Sequence, residues 1–294
     1  MRTQPLTTDG SDITAAADEP RRMSRRVRAW QRSPYPVGRR LVRGFWRLAG
    51  NRPQKSSRVR FVSIGEGRFK RIIFGDSWMA TRVERNLEKF ADVALFPPLI
   101  ARYESEIWVD YVQGTRPDGD DSGIVELVAD FFATLYRRAP RRMRLAETGA
   151  PARLERDLRF LGKVGVISEA LAAELGRTAA RLAPDEVWVG FDYSDPVLKN
   201  FVLVSEGDRL CAVDVEGLCD DELLGTGVAR ALARWAEPHR EALLGRILSD
   251  GTPDFGRYFA YVELAFAAAY TALMVLERKW KFVEPARFAL FRRP

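Results

Sequence analysis

Three oxygen-bearing side chains flank a predicted β-hairpin within residues 193–216, and their types and spacing suit metal and phosphate chemistry. Asp195 lies five residues before Asn200, and Asp214 ends the second apolar run, RLCAVD. Because the runs NFVLV and RLCAVD should pair as an antiparallel hairpin, Asn200 is expected roughly opposite Val213 and Asp214 at its open end. Two carboxylates and one amide are oxygen-only donors, which suit a hard cation such as Mg²⁺. The pattern therefore predicts a magnesium site.

The small number of histidine and cysteine residues limits the kinds of catalytic and metal site that the chain can form. The chain has one histidine, His239, and two cysteines, Cys211 and Cys219. These cannot form a tetrahedral zinc site or a disulfide framework, so we expect a reducing cytoplasm, with carboxylates doing any proton transfer. The competing interpretation is a surface ribbon whose Asp and Asn residues only make turns. It fits Asp195, which precedes a proline, but not Asp214, which ends an apolar run.

The elements around the hairpin change character along the chain. Residues 58–114 contain the β-like runs RVRFVSIG, RFKRIIF, LFPPLIARY and EIWVDYV, with the helical pattern ERNLEKFA between the second and third. Residues 115–122 are polar and predict a linker, after which helical patterns dominate: IVELVADFFATLYRR, ARLERDLRFLG and SEALAAELGRTAARL. The apolar stretch 258–276 approaches membrane-spanning length, but its alanine content and central Glu263 favour a buried helix. The sequence thus predicts an α+β chain, with a β-rich lobe at 58–114 and a helical lobe at 115–294.

The order Asp-x4-Asn, a hairpin, then Asp resembles the catalytic and metal-binding loops of the protein-kinase-like superfamily. The closest likeness in style is to aminoglycoside and other small-molecule, or lipopolysaccharide-type, phosphotransferases. The resemblance implies a two-lobed fold that uses ATP and Mg²⁺, with Asp195 accepting or orienting the proton of the acceptor hydroxyl. By the same resemblance, Asn200 and Asp214 hold Mg²⁺ on the nucleotide phosphates. Tyr193 departs from the family's usual histidine, and Asp-Val-Glu stands where Asp-Phe-Gly is common.

The first lobe carries weaker signals of the same family. SIGEGRFKRI, residues 63–72, is similar to a glycine-rich loop that covers a nucleotide. Gly65 and Gly67 would let the backbone approach phosphates without a Cβ clash. EIWVDYVQG resembles the strand and hinge between the two lobes, where backbone groups would meet adenine.

Two residues compete for the family's phosphate-anchoring lysine. If IIFGDSWMATRV forms a hairpin, Arg82 takes that place, and an arginine keeps the charge but not the ammonium geometry. If a helix begins at residue 77 instead, the anchor is Lys70 on the strand RFKRIIF. We favour Arg82, because the Gly-Asp pair before it makes a good turn. In either case Glu84 or Glu88 is expected to pair with the anchor.

The segment after Asp214 indicates whether the acceptor is a protein or a small molecule. GLCDDELLGTGVARALARW soon reaches a helical pattern and contains no Ala-Pro-Glu and no long Ser/Thr-bearing loop. It resembles the short segment of the small-molecule phosphotransferases. We therefore predict an ATP–Mg²⁺ phosphotransferase acting on a hydroxyl of a small molecule, sugar or lipid-linked sugar. A serine/threonine protein kinase and a non-catalytic pseudokinase are the alternatives, and Tyr193 and an arginine anchor favour the latter.

Basic charge is concentrated in an N-terminal arm, residues 1–57. Residues 1–60 hold 15 Lys and Arg against 4 Asp and Glu, whereas the rest of the chain holds 32 against 36. RRLVRGFWRLAG predicts a short basic amphipathic helix in this arm, which suits an anionic membrane surface as well as it suits packing on the body. We expect a cytoplasmic protein, peripheral at the inner membrane face through residues 20–60, with a small-molecule or glycolipid acceptor. Nucleic acid is not the expected partner, because basic charge alone is unspecific.

Overall fold

The structure is a computed structural model, and the part of the chain that it describes is residues 57–118, 122–204, 209–249, 251–277 and 279–291. The amphipathic helix predicted in the basic arm and the turn of the predicted hairpin lie outside these residues.

The described residues contain nine strands and seven α-helices. The strands are β1 Arg58–Ile64, β2 Gly67–Ile73, β3 Leu99–Tyr103, β4 Glu106–Asp110, β5 Arg141–Arg144, β6 Glu186–Tyr193, β7 Phe201–Val204, β8 Arg209–Ala212 and β9 Leu218–Leu223. The α-helices are α1 Ser77–Glu88, α2 Ser122–Arg137, α3 Ala150–Lys163, α4 Glu169–Leu182, α5 Thr226–Ala231, α6 Arg240–Ser249 and α7 Phe259–Leu276. The two predicted runs at residues 193–216 form β7 and β8, which pair in a two-stranded sheet.

The chain forms two compact units. Among the described residues, unit 1 contains those up to Gln113 together with Cys211–Val215, and unit 2 contains the others.

Unit 1 is built on an antiparallel sheet with the order β1-β2-β4-β3. Ile72 of β2 lies opposite Ile107 of β4, and both side chains are fully buried. The buried residues of α1, including Ala80 and Val83, complete this core. The sheet agrees with the four β-like runs of the sequence, and its shared apolar face explains why those runs fold together.

The predicted strand through Arg82 is wrong, because this segment belongs to helix α1. The helix begins at Ser77, and Met79, Val83 and Leu87 recur every fourth residue along its buried face. A strand would instead bury alternate residues, placing Thr81 with Met79, whereas Thr81 is exposed. The four-residue period of the apolar side chains therefore overrides the turn signal that precedes the helix.

Unit 2 combines helices with a small antiparallel sheet that the sequence patterns did not predict. The three longer helical patterns after residue 122 are confirmed as α2, α3 and α4, and Ser168 caps α4 by accepting a hydrogen bond from the Leu171 amide at 3.1 Å. The sheet has the order β5-β6-β9. Its central strand β6 has all but two of its residues buried, which masks the alternation typical of a half-exposed strand.

Helix α7 is the apolar stretch predicted to be buried. Among the described residues it is the one helix long and apolar enough to cross a membrane, by length and composition. Within unit 2 it packs against α3, α4 and α5, and 67% of its apolar window is buried. This burial agrees with the core helix expected from the sequence.

A backbone bridge joins the start of unit 2 to strand β7. The Thr115 amide donates to the Leu203 carbonyl at 3.1 Å, and the Leu203 amide donates to the Thr115 carbonyl at 2.8 Å. A Cβ on the preceding residue, Gly114, would lie 2.0 Å from the Leu203 oxygen. The bridge therefore requires glycine at this position.

We predict that Gly114→Ala lowers the free energy of unfolding by about 2 kcal/mol or more, because the new methyl group must displace the bridge. Gly176→Ala is the matched control, since a Cβ at this site in α4 meets nothing within 4 Å. The control should be more stable than the parent by about 0.5–1 kcal/mol, because alanine favours the helix. Urea unfolding of the three proteins measures both changes, and equal stability of Gly114→Ala and the parent would contradict the prediction.

Candidate functional site

The structure brings Asp195 and Asn200 together in the loop between β6 and β7. The Nδ2 atom of Asn200 donates to the backbone oxygen of Asp195 at 2.9 Å and to its Oδ2 atom at 3.1 Å. A short 3₁₀ turn over Leu198–Asn200 places the amide there, and its backbone is fixed where Asn200 N donates to the Val197 carbonyl at 2.8 Å. Asn200 is buried and Asp195 is half-buried. The five-residue spacing is thus that of one compact loop.

Helix α5 supplies a cation to this loop that the sequence analysis missed. Arg230 places its Nη2 atom 2.5 Å from the Oδ1 atom of Asp195, and its guanidinium lies over the Tyr270 ring at 5.6 Å from the centroid. Trp235, just beyond the helix, donates through Nε1 to the Pro196 carbonyl at 2.9 Å. No local pattern could identify Arg230, because its partner lies on a different element far away in the chain.

The glycines predicted to cover a nucleotide form the turn between β1 and β2. Gly65 has φ +58°, in the left-handed region that glycine tolerates, and a Cβ there would meet nothing within 4 Å. Gly67 begins β2, where a Cβ would lie 2.8 Å from the Phe69 ring. Gly65 therefore serves the turn and Gly67 leaves room for a neighbouring ring.

Lys70 of β2 reaches the segment that ends at Asp214. Its Nζ atom donates to the Val213 carbonyl at 2.6 Å, and the site is partly buried. The Ala212 amide also donates to the Leu95 carbonyl, at 2.8 Å. These two hydrogen bonds attach the chain immediately before Asp214 to unit 1.

Arg82 and the two candidate acidic partners lie on α1 and form other contacts. The guanidinium of Arg82 lies 5.8 Å from the centroid of the Trp78 ring, and its buried Nε and Nη2 atoms have no hydrogen-bond acceptor among the described residues. Glu84 forms an ion pair with Arg102 of β3. Glu88 is exposed at the end of the helix and forms no ion pair within the described part of the chain. The expected ion pair between an anchor and Glu84 or Glu88 is therefore wrong.

Neither a family model nor a curated protein matches the sequence of the chain. Solved structures do resemble it. The aminoglycoside phosphotransferase APH(4)-Ia, as a thermostable mutant in ternary complex with AMP-PNP and hygromycin B, has a TM-score of 0.59 and 12% identity, covering 83% of this chain and 92% of that one. The macrolide 2'-phosphotransferase MphH from Brachybacterium faecium has a TM-score of 0.54 and 15% identity, covering 86% and 96%. An ethanolamine kinase from Plasmodium vivax has a TM-score of 0.50 and 9% identity, covering 81% of each chain.

The fold is that of the protein-kinase-like phosphotransferases. The predicted fold class is therefore confirmed. A shared fold does not by itself determine the substrate, since one architecture hosts many activities.

The kinase-like fold implies a magnesium ion, and the donor types of this chain fit it. Asn200 uses Nδ2 toward Asp195, so Oδ1 is the amide atom suited to a cation. Asp214 is half-buried, and its carboxylate oxygens are also of the donor type that Mg²⁺ prefers. Mg²⁺ in such proteins is usually held by one or two side chains, with waters and substrate phosphates completing its shell. The described residues contain no group of three or more His, Cys, Asp or Glu side chains arranged as a metal site.

Tyr193, which departs from the usual histidine of the kinase-like loop, is a packing residue in this protein. Its side chain is fully buried, with its ring 5.6 Å from those of Phe131 and Phe201. A Cβ on Gly217 would lie 2.9 Å from the Tyr193 ring, and the Gly217 carbonyl accepts a hydrogen bond from Ser194 N at 2.7 Å. The rings of Tyr193, Phe131 and Phe201 thus pack against one another next to the loop between β6 and β7.

Asp192 is a buried carboxyl group that joins β6 to the start of α5. Its oxygens accept hydrogen bonds from the Tyr136 hydroxyl at 3.1 Å, the Tyr193 amide at 2.7 Å and the Gly227 amide at 3.0 Å. The Tyr136 oxygen accepts in turn from the Gly225 amide at 3.1 Å. A Cβ on Gly227 would lie 2.4 Å from Asp192 Oδ1, so only glycine admits this contact. The carboxyl group connects the elements that carry Asp195 and Arg230.

Burial raises the pKa of Asp192 from its ordinary value of 3.8 to about 7, although the two backbone amides oppose the shift. The ionisable groups that face it are Tyr136, whose pKa burial also raises, Glu222 of β9 and Tyr258. Because the raised pKa means that ionisation opposes folding, this residue's contribution to the free energy of unfolding falls as the pH rises from about 4 to about 7.

We predict that Asp192→Asn flattens the decline in melting temperature between about pH 4 and pH 7, because the variant removes the proton release while keeping the shape of the side chain. The slope is the relevant measurement, since an amide cannot accept every hydrogen bond that the carboxylate accepts. Asp185→Asn, at an exposed position just before the same strand, is the control and should keep the parent slope. An unchanged slope in Asp192→Asn would mean that another group titrates.

Proposed function

We propose that the protein is an ATP- and Mg²⁺-dependent phosphotransferase that phosphorylates a hydroxyl group of a small molecule. The observation that carries the proposal is the loop in which the Asn200 amide donates one hydrogen bond to the Asp195 carboxylate and one to the Asp195 backbone oxygen, within a kinase-like fold. Solved structures with this fold include enzymes named for aminoglycosides, macrolides and ethanolamine, and one of them contains AMP-PNP. Small hydroxyl acceptors and a nucleoside triphosphate are therefore the natural substrates to test.

The proposed chemistry assigns one task to each residue. Asp195 orients the acceptor hydroxyl and takes its proton while the new bond between oxygen and the γ-phosphorus forms and the β–γ bridging bond breaks, releasing ADP. Lys70 holds the phosphates, and Gly65 and Gly67 cover them. Asn200 and Asp214 would hold Mg²⁺, which neutralises phosphate charge when bound. Most of the rate acceleration would come from positioning and charge stabilisation.

We propose Lys70 as the phosphate anchor in place of Arg82, which the sequence patterns favoured. Lys70 lies on a strand, as the family resemblance requires, and its ammonium group already meets a backbone carbonyl next to Asp214. A phosphate oxygen can replace that carbonyl as the acceptor at little cost, because an ammonium N–H group donates to either kind of oxygen. Arg82 is the remaining candidate, since two of its buried nitrogens have no acceptor among the described residues.

A nucleotide-binding module without catalytic activity is the second candidate. The ion pair between Arg230 and Asp195 supports it, because this pair and the Asn200 amide engage both carboxylate oxygens of the proposed base. An active enzyme must loosen one of these contacts when the acceptor hydroxyl binds. The two candidates therefore differ in turnover and not in nucleotide binding.

We predict that ATP raises the melting temperature of the parent protein only when Mg²⁺ is present. At a hundred times its dissociation constant, a ligand specific for the folded state adds about 2.7 kcal/mol to the free energy of unfolding. Asp214→Asn should lose this stabilisation with the loss of a metal ligand. Asp195→Asn should keep it and abolish phosphate transfer. Equal nucleotide affinity in the parent and Asp214→Asn would contradict the assignment.

The same titration distinguishes the two candidate anchors. Lys70→Met should weaken ATP binding, whereas Arg82→Met should leave it near the parent value, and the reverse result would assign the phosphates to Arg82. A Mg²⁺-dependent shift without turnover on any acceptor would favour the non-catalytic module.

The basic arm supports a further proposal about location. We propose that residues 20–60 hold a cytoplasmic enzyme at the inner membrane face, near a glycolipid acceptor, because this stretch contains many arginines and no acidic residue. The full chain should bind vesicles that contain anionic phospholipid and release them at high salt, and a chain lacking residues 1–56 should not bind. Unchanged vesicle binding after the deletion would refute the membrane role.

A further inference from the structure

Three cations of unit 2 lie against two aromatic rings, and one of these cations contacts Asp195. The cationic cluster consists of Arg230, Arg234 and Lys281. The Arg234 guanidinium lies 5.3 Å from the centroid of the Phe282 ring, and its Nη1 atom donates to the Tyr270 hydroxyl at 3.1 Å. The Lys281 ammonium lies 4.9 Å from the Phe282 centroid. Arg230, which contacts both Asp195 and Tyr270, connects the cluster to the proposed base.

The cationic cluster carries more positive charge than its surroundings balance. The acidic residues nearby in sequence are paired with other cations: Glu237 and Glu263 with Arg240, Glu277 with Lys279, and Glu284 with Arg287. Within the described residues, Asp195 is the one carboxylate in ion-pair distance of the cluster. The three positive charges of the cluster therefore have one carboxylate partner within the described residues, and that partner is the proposed base.

The cluster also offers hydrogen-bond donors suited to an oxyanion. The Nε atom of Arg230 is buried and has no acceptor in the described structure. Arg234 and Lys281 are exposed and can turn toward a ligand. A guanidinium group presents its donors in a planar fork that matches the oxygens of a phosphate or a carboxylate. The Arg230 Nε donor and the excess positive charge of the cluster both favour an anionic ligand that contains oxygen.

We propose that the acceptor carries an anionic group, a phosphate or a carboxylate, which binds the cationic cluster while its hydroxyl group meets Asp195. This inference rests on the proposed phosphotransferase function and specifies its substrate class. An acceptor anion would compete with Asp195 for Arg230 and so release a carboxylate oxygen for the hydroxyl proton. The anionic group itself takes no part in bond making or breaking. Amines such as aminoglycosides or ethanolamine would be repelled by the cluster.

The test measures acceptor binding with the nucleotide site already filled. The parent protein is saturated with AMP-PNP and Mg²⁺, and glucose 6-phosphate, gluconate, glucose and glucosamine are then titrated as probes by thermal shift. We expect glucose 6-phosphate, gluconate or both to bind in a salt-sensitive manner, and glucose and glucosamine not to bind. The two anionic probes distinguish a phosphate from a carboxylate as the preferred group.

The double variant Arg234→Gln/Lys281→Gln should weaken binding of the anionic probe by about tenfold or more, because it removes two attractive charges from the cluster. Arg159→Gln/Lys163→Gln is the matched control, since it removes the same charge from exposed positions on α3 and should leave probe binding unchanged. Both double variants should keep the shift caused by AMP-PNP and Mg²⁺.

The outcomes separate the two proposals. If neither anion binds, if glucosamine binds as well as the anions, or if the Arg234→Gln/Lys281→Gln variant binds them like the parent, the anionic acceptor is refuted while nucleotide binding can still stand. If AMP-PNP and Mg²⁺ cause no shift in the parent protein, the phosphotransferase proposal itself fails.

Discussion

Folding buries the carboxyl group of Asp192 in the interior of unit 2. The positions of β6 and α5, which flank the candidate base, depend on the hydrogen bonds that this group accepts. Asp192 is 1% exposed, so its oxygens need hydrogen-bond donors from the protein and not from bulk water. The donors are the hydroxyl of Tyr136 and the amides of Tyr193 and Gly227. One side chain thus joins the end of a strand to the start of a helix. Because that helix carries Arg230, the position of the cation beside Asp195 follows from the same network.

The groups proposed to handle phosphate are held by this chain before any ligand binds. Lys70 donates to a backbone carbonyl, Arg230 pairs with Asp195, and Asn200 donates to the same carboxylate. Beneath the loop, the Tyr193 ring packs among phenylalanines where a histidine is usual in the family. Such prior contacts reduce the entropy lost on binding, because fewer side chains must be ordered by the ligand. They also mean that each ligand group has to compete with an existing partner.

Features that depend on neighbouring residues in the chain were predictable from the sequence. Ser168 is a helix cap whose hydroxyl reaches an amide three residues away, and the helices of unit 2 follow from their apolar periodicity. Asp195 and Asn200 belong to one short loop, so their spacing was enough to predict their contact. The kinase-like fold could be inferred because this loop and the following hairpin occur in a recognisable order. In each case the determining residues lie within one helix or within one loop and the hairpin that follows it.

Features that depend on distant residues were decided only by the tertiary structure. The segment around Arg82 carries both a turn signal and a helical period, and burial of one face under the sheet of unit 1 made it a helix. The buried strand β6 lacks alternation because both of its faces are covered. Arg230 and Asp192 gain their roles from partners on other elements, which no spacing along the chain relates to them. The sequence by itself therefore determined most of the helices and the contact between Asp195 and Asn200, whereas the path of the folded chain decided which charges meet, because ion pairs and buried hydrogen bonds depend on distance in space.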